Sequence, residues 1–291
     1  MNAEPAADLS TTRSNSRKRS LASLALLAAA PACAPDAGTA SASLALRGSS
    51  PAPDPSAVVA VHDLGTGTFC TGALIAPRVV LTAGHCVRRP GALRPTTAAE
   101  LRVTFAAVSG DPARGAAVVG VATALGPYSL TGAGAFALLG RDVAVVTLER
   151  AVDLPTFPLW RDPPGDLAGA TVTLYGYGET PEATGGARRR VATRVTRTDH
   201  ELAFVADQLC AGDSGGPMVA GDGRVVGVAS YNDGRCGEGS GTYDLVSPHL
   251  AMIDEALRAT GAGADAGADA GADAGADAGM PRSWPGRSAR K

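Results

Sequence analysis

Short apolar segments separated by turn residues dominate the middle of the chain and limit what it can fold into. Runs rich in Val, Ile, Leu and Thr alternate with Gly, Pro, Asp and Asn, a pattern that predicts β-strands joined by tight turns. No segment with a convincing helical period interrupts these runs, which argues against a βαβ sheet. The predicted strands are residues 57–61, 71–75, 79–81, 101–105, 116–121, 143–148, 171–175, 191–195, 225–230 and 242–246.

A single helix is predicted after the last strand. Ser247 is placed to cap it, Pro248 suits the first helical position, and apolar residues at 250, 253 and 257 share one face. Gly261 is expected to end the helix. The predicted architecture is therefore all-β with a C-terminal helix, in a domain long enough to hold two barrels.

The first part of the chain has the pattern of an export signal. A basic stretch at residues 13–19 precedes the uncharged apolar run 21–30, and small residues follow directly before Cys33. The ten residues 21–30 are too few to span a bilayer as a helix. The run Ala30-Pro31-Ala32-Cys33 resembles the bacterial lipobox, with Ala30 where that motif usually has Leu. We predict a lipoprotein signal with Cys33 lipidated; the alternative is a plain cleaved signal.

Composition divides the rest of the chain. Residues 31–55 are rich in Ala, Pro, Ser and Gly, and residues 261–279 repeat Gly, Ala and Asp before a basic end. Such sequences lack the apolar side chains needed to order themselves. The predicted organisation is a signal peptide (1–32), a linker or propeptide (33–45), one domain (46–260) and a disordered tail (261–291).

The chain has five cysteines, an odd number. If Cys33 is lipidated or removed, Cys70, Cys86, Cys210 and Cys236 remain as an even set, which an oxidising compartment would join as disulfides. The sequence alone leaves three pairings of these four open.

Three segments carry the residue types that acyl transfer requires: a serine nucleophile, a base, an orienting group and donors for the oxyanion. The segment 212–217 places Ser214 among glycines, so backbone N–H groups can approach a substrate carbonyl. The segment 81–86 sets His85 after an apolar strand, and the segment 141–146 sets Asp142 at the mouth of a buried strand. A buried carboxylate there requires a partner.

These three segments, in the order His, Asp, Ser, resemble the trypsin/chymotrypsin family of serine peptidases. The resemblance extends over about residues 46–257, and Gly84 stands where the family usually has Ala. It implies two packed six-stranded antiparallel β-barrels, with His85 as general base and acid, Asp142 as its orienter and Ser214 as nucleophile. It also implies an oxyanion hole from the N–H groups of Gly212 and Ser214, and the disulfides Cys70–Cys86 and Cys210–Cys236.

The residue before the nucleophile carries a further implication. Asp213 corresponds to a buried carboxylate that pairs with a newly exposed N-terminal ammonium in the family, since an unpaired carboxylate there would be costly. The nearest matching N-terminus is Leu46, released by cleavage after Ala45. Ser49 departs from the pattern, because a second glycine is usual there.

The resemblance also indicates a specificity pocket. Its floor matches Gln208, although Asp207 lies one place off, and its wall matches Ser230, Tyr231 and Asn232. Gly241 would line the far side. A neutral floor and a wall narrowed by Asn232 predict a preference for small or polar uncharged side chains before the scissile bond.

The sequence therefore predicts a monomeric serine endopeptidase, secreted or tethered to a membrane outside the cytoplasm through Cys33. Its partners would be protein or peptide substrates, and the formal net charge of −2 argues against nucleic acid. No cofactor or metal is expected, because the cysteines are better used as disulfides than as zinc ligands. The alternative is a catalytically inactive homologue acting as a surface binding lipoprotein, which is disfavoured because no triad residue is missing.

Overall fold

The described residues fold chiefly as short β-strands, as the alternation of β-branched runs and turn residues predicts. The computed structural model describes residues 46, 49–52, 56–129, 138–163, 165–178, 186–206, 209–232 and 239–262, all within the compact unit Ala42–Lys291. The predictions for Cys33, Asp207, Gln208 and Cys236, for the linker and for residues 263–291 lie outside these ranges. The elements in chain order are β1 (Ser50–Pro51), β2 (Val58–Asp63), β3 (Thr68–Ala76), β4 (Val79–Thr82), β5 (Leu101–Thr104), β6 (Ala116–Thr123), β7 (Ala144–Leu148), β8 (Thr171–Gly176), β9 (Arg189–Asp199), β10 (Leu202–Ala206), β11 (Pro217–Ala220), β12 (Val225–Asn232), β13 (Ser240–Leu245) and α1 (Leu250–Ala259).

The first barrel is a closed ring of antiparallel strands in the order β2-β3-β4-β7-β6-β5. Alternate side chains point inward, because successive residues of a strand face opposite sides. In β2, Val59 and Val61 join the interior cluster, whereas Val58 and Ala60 pack outside it against Tyr177 of the second half. Every residue of β2 is therefore buried.

The second barrel follows the order β9-β10-β13-β12-β11-β8, and β8 closes it by pairing with β9. The two-residue strand β1 adds to its edge by pairing with Arg189 and Arg190. The interior is filled by apolar side chains, among them Leu46, Leu174 and Tyr243. The chain thus forms two six-stranded antiparallel barrels, which confirms the predicted fold class.

The two barrels share a third apolar cluster that includes the helix. Ile75 and Val145 of the first barrel and Val228 of the second lie in this cluster with Ile253 and Leu257 of α1. Burying each such side chain contributes about 1.5–3 kcal/mol, so this cluster is a main contact that holds the barrels together.

The helix begins later than the sequence predicts. Ser247 makes no capping hydrogen bond; instead Ser247–His249 forms a 3-10 turn and His249 is the N-cap of α1. Pro248 lies in that tighter turn, where its missing N–H costs nothing. The predicted end is confirmed, since Gly261 has φ +77° directly after the last turn.

Among the described residues, none of the helices is long and apolar enough to cross a membrane.

Candidate active site

Strand pairing in the first barrel brings His85 and Asp142 together. His85 lies in the 3-10 turn Gly84–Cys86 that follows β4, and Asp142 lies just before β7, the strand that pairs with β4 through Thr82 and Ala144. Asp142 Oδ2 is 2.6 Å from His85 Nδ1, and its Oδ1 accepts from the backbone N–H of His85 at 2.7 Å. These two bonds fix the imidazole ring against a fully buried carboxylate.

This pairing changes the basicity of His85. Burial disfavours the imidazolium, but the charge and hydrogen bond of Asp142, together with the charge of Asp244, raise the pKa of His85 above its ordinary value. The side chain is 19% exposed, so the ring remains accessible to solvent. The arrangement can therefore take up a proton from a neighbouring group and hold it.

Ser230 has a role that the motifs do not indicate. It was predicted as pocket wall, and its hydroxyl also donates to Asp142 Oδ2 at 2.7 Å. Asp142 is thus held by a histidine, a serine and a backbone amide. No local sequence pattern marks this contact, because it depends on how β12 lies against the turn before β7.

The loop that carries Ser214 is anchored to the first barrel by Thr71 of β3. The N–H of Thr71 donates to the Ser214 carbonyl at 2.8 Å, and its hydroxyl donates to the Gly212 carbonyl at 2.7 Å. The same hydroxyl accepts from the N–H of Tyr177 at 3.0 Å. Thr71 is fully buried, so these bonds are shielded from water and were not predictable from the motifs.

Glycines let this loop approach the first barrel closely. A Cβ on Gly215 would clash with the hydroxyl of Thr82 and lie 2.8 Å from the nitrogen of Ala83, two residues before His85. Gly212 has φ +94°, a conformation that side-chain-bearing residues rarely adopt. Ser214 is half-buried at the place where the two barrels meet.

The backbone around Ser214 leaves two donors free. The N–H of Asp213 donates to Cys210 and that of Gly215 to Ala229, whereas the N–H groups of Gly212 and Ser214 donate to no group of the described chain. Free N–H groups within a glycine-flanked loop are suited to bind a negatively charged oxygen.

A cavity of about 310 Å³ adjoins Ser214. The predicted wall residues Ser230, Tyr231 and Asn232 line it. Three further lining residues were not indicated by the sequence: Leu209, Cys210 and Ala211.

Two of the lining residues are hydrogen-bonded to each other, since the Asn232 side chain donates to the Leu209 carbonyl at 2.8 Å. Gly241 is not among the lining residues described and lies behind Leu209, since its Cβ would be 3.1 Å from Leu209 Cγ. The predicted floor residue Gln208 and its neighbour Asp207 are outside the described residues.

Asp213 is a fully buried carboxylate beside the nucleophile candidate. Its oxygens accept from the backbone N–H groups of Gly178 at 2.7 Å and Cys210 at 3.0 Å, and the N–H of Leu46 also donates to it. Burial raises the pKa of Asp213 to about 7, against the lowering effect of these bonds. The site therefore favours either a protonated acid or a cation that neutralises it.

Disulfide-bonded cysteines lie beside both His85 and the loop that carries Ser214. Cys70 and Cys86 are joined by a disulfide, the pair that the resemblance implies. Cys210 is also disulfide-bonded, and its predicted partner Cys236 is outside the described residues. Although Cys70, His85 and Cys86 cluster closely, the disulfide occupies both sulfurs, so these residues do not form a metal-ligand set.

Two six-stranded barrels that meet around a histidine–aspartate pair and a glycine-flanked serine define the chymotrypsin-like fold. A family model described as Trypsin matches residues 46–253, and the chain belongs to this family. It is 27% identical over 211 residues to a chymotrypsin from Phaedon cochleariae, covering 65% of this chain and 72% of the relative. It is 28% identical over 211 residues to a trypsin from Saccharopolyspora erythraea, covering 66% and 88%.

Solved structures that match this chain share less sequence with it than these relatives do, so the likeness supports only the fold. Human heparin binding protein matches with a TM-score of 0.55 at 22% identity, covering 72% of this chain and 96% of that one. A Glu endopeptidase matches with a TM-score of 0.54 at 21% identity, covering 70% and 92%. A scabies mite inactivated protease paralogue matches with a TM-score of 0.55 at 19% identity, covering 70% and 94%.

Replacing Thr71 by Val should uncouple the nucleophile loop from the first barrel. The substitution keeps the shape but leaves the Gly212 carbonyl and the Tyr177 N–H without their shared partner, so we expect a loss of about 2–4 kcal/mol in the free energy of unfolding. Any peptidase activity should fall more than about tenfold, since misplacing the loop disturbs the reacting geometry. Denaturant unfolding and peptide hydrolysis measure the two effects. Thr68→Val, at the exposed end of the same strand, is the control and should change both little.

Proposed function

We propose that this protein is a serine endopeptidase that hydrolyses peptide bonds through an acyl-enzyme. The observation that carries the proposal is the His85–Asp142 hydrogen bond of 2.6 Å at the place where the Ser214 loop meets the first barrel. In this proposal Ser214 attacks the carbonyl, His85 takes and returns its proton, and Asp142 orients His85. The free N–H groups of Gly212 and Ser214 stabilise the oxyanion.

The alternative is an inactive member of the family acting as a binding protein. Structures of the same fold include one named an inactivated protease paralogue and one named for heparin binding, so fold alone does not decide activity. Against this alternative, His85 is held by two bonds to a buried carboxylate, an arrangement that a surface binding role does not require.

We further propose a preference for small uncharged side chains before the scissile bond. The cavity wall includes apolar Leu209, and the amide of Asn232, which also lines the cavity, is held by a hydrogen bond to the Leu209 carbonyl. Among its described lining residues none is charged. A long cationic side chain would have to displace the Asn232–Leu209 bond without gaining a carboxylate from these residues.

Activation by cleavage after Ala45 fits the surroundings of Leu46. Leu46 is fully buried in the second barrel and its N–H already donates to Asp213. Its φ of +27° strains a residue with a side chain, at a cost of about 1–2 kcal/mol. Cleavage would relieve this strain and convert the amide donor into an ammonium beside a buried carboxylate. If Cys33 is lipidated, the same cleavage would release the domain from the membrane.

The catalytic proposal is tested with a fluorophosphonate probe, which labels only an activated serine. Wild type should be labelled, and Ser214→Ala should lose labelling and lower peptide hydrolysis by roughly 10³–10⁶-fold while remaining folded. Because Asp142 raises the pKa of His85, hydrolysis should rise with pH with a midpoint above about 6.5, where the base loses its proton. Ser247→Ala is the control. Near-normal turnover by Ser214→Ala would exclude the mechanism.

The specificity proposal is tested by opening the cavity. Asn232→Gly removes an amide side chain from the wall, so kcat/KM for a substrate with Phe before the scissile bond should rise about tenfold relative to one with Ala. Tyr231→Phe alters the wall without opening it and should leave this ratio within about twofold. An unchanged ratio in Asn232→Gly would show that Asn232 does not limit the pocket.

The activation proposal is tested by fractionating producing cells and sequencing the N-terminus of the active species. We expect the active form to begin at Leu46 and to be found in the soluble fraction. Full activity confined to a membrane-bound form that still begins at Cys33 would exclude release by cleavage, and would mean that another group neutralises Asp213.

A further inference from the structure

A second carboxyl group, that of Asp244, is buried directly behind Asp142. Asp244 lies on β13, which has neighbours on both sides: it is opposite Val228 of β12 and Leu202 of β10. Its side chain is fully inaccessible to solvent. A carboxyl group in the middle of a barrel wall is costly unless it is neutralised or hydrogen-bonded, so its partners decide its state.

The two oxygens of Asp244 have different surroundings. Oδ1 accepts from the backbone N–H of Asp142 at 3.4 Å, and the N–H of Gly140 and the hydroxyl of Ser230 lie close enough to influence the proton affinity of the carboxyl group. Oδ2 is buried without a hydrogen-bond partner in the described chain. None of these partners is a cation, so no described residue in contact with Asp244 offsets a negative charge.

Ser230 cannot serve both carboxyl groups as a donor. A hydroxyl has one proton, and that of Ser230 is donated to Asp142 Oδ2 at 2.7 Å. Towards Asp244 the hydroxyl can only accept, which requires Asp244 to be the protonated partner. A protonated Asp244 therefore completes a chain of hydrogen bonds from Asp244 through Ser230 to Asp142 and His85, whereas an ionised Asp244 competes with Asp142 for the same proton.

We propose that Asp244 is a positioning residue of the catalytic site, which orients Asp142 through its backbone and through Ser230 and adjusts the proton affinity of His85 by its own charge. This inference rests on the proposed peptidase function for its effect on catalysis. Its electrostatic part concerns the ground-state protein and can be measured without turnover.

The electrostatics agree with this geometry. Burial, followed by the charge of Asp142, raises the pKa of Asp244 to about 7. The charge of Asp244 in turn contributes to the raised pKa of His85. Because such coupling is reciprocal, a change in the charge of one group changes the proton affinity of the other. As pH rises, ionisation of Asp244 makes His85 hold its proton longer than Asp142 alone would.

Other titratable groups lie around the pair. The charge of Asp142 reaches Tyr128, and burial and that charge raise the pKa of Tyr128 to about 12, so it is neutral over the relevant range. Glu201 lies next to Gly140, since a Cβ added to Gly140 would be 3.1 Å from Glu201 Oε2. His249 also lies near Gly140, and burial lowers its pKa. Glu201 is exposed and is therefore screened by solvent.

The experiment follows the His85 ring by NMR across pH in the full chain, with Ser214→Ala as background to prevent self-cleavage. Asp244→Asn is close to the neutral acid in shape and retains a donor, so it should keep the fold and remove only the charge. We expect a single-proton His85 titration with its midpoint about 0.5–1 unit below that of the parent. With Ser214 restored, the acid limb of kcat/KM should move by the same amount, and Asp244→Ala should lower kcat at every pH.

Glu201→Gln is the matched control. It removes a nearby carboxylate that is exposed to solvent, so the His85 titration curve should not move. A comparable shift in Glu201→Gln would mean that the effect on His85 comes from the general charge of this region, and it would overturn the specific role of Asp244.

The outcomes separate the two proposals. If the probe labels Ser214 but Asp244→Asn leaves the His85 titration unchanged, the role of Asp244 is wrong while the peptidase function stands. If the His85 midpoint falls but Ser214 is never labelled, the electrostatic coupling holds and the peptidase function is wrong. Should Asp244→Asn fail to fold, carboxyl-carbon NMR of the otherwise intact chain decides: Asp244 should titrate near neutral pH, and titration near its ordinary value of about 4 would overturn the proposal.

Discussion

The geometry of the candidate active site depends on Thr71, through both its buried hydroxyl and its backbone N–H. The chemistry needs groups from two separately closed barrels to lie within hydrogen-bond reach of each other. Thr71 belongs to the first barrel, yet it bonds the backbone of Gly212 and Ser214 and accepts from Tyr177 in the second. Its own carbonyl accepts from Thr82 at 2.8 Å, near the turn that bears His85. One residue thus sets the position of the nucleophile loop relative to the base.

Among the described residues, three carboxyl groups near this contact, those of Asp142, Asp213 and Asp244, are fully buried, and their hydrogen-bond partners differ. Asp142 receives hydrogen bonds from His85 and Ser230. Among the described residues, Asp213 is contacted by backbone amides alone, and Asp244 by backbone amides and by the Ser230 hydroxyl that already donates to Asp142. The pKa values of Asp213 and Asp244 are raised to about 7, above the value of about 4 for an unfolded chain. The folded state therefore keeps protons that the unfolded state releases, and these two groups lower stability as pH rises from about 4 through 7.

The sequence predicts the parts of this structure that local chemistry determines. The triad residues lie in short motifs, and most strands follow from runs of β-branched residues. Strand β10 is rich in Ala and β11 begins with Pro217, so neither has the composition of a typical strand. Thr71, the second role of Ser230, and Asp244 could not be predicted, because each acts across strands whose relative position depends on barrel closure and register.

The disulfide Cys70–Cys86 has a consequence for the redox environment of the protein. Cys70 precedes Thr71, and Cys86 follows His85, so one covalent bond clamps the two residues that place the nucleophile loop and the base. Closing a loop of this length is worth about 3 kcal/mol, and reduction would return that freedom to both segments at once. A reducing environment would therefore loosen the segments of Thr71 and His85 without chemically changing any reacting side chain. The site would keep its full geometry only where thiols are oxidised.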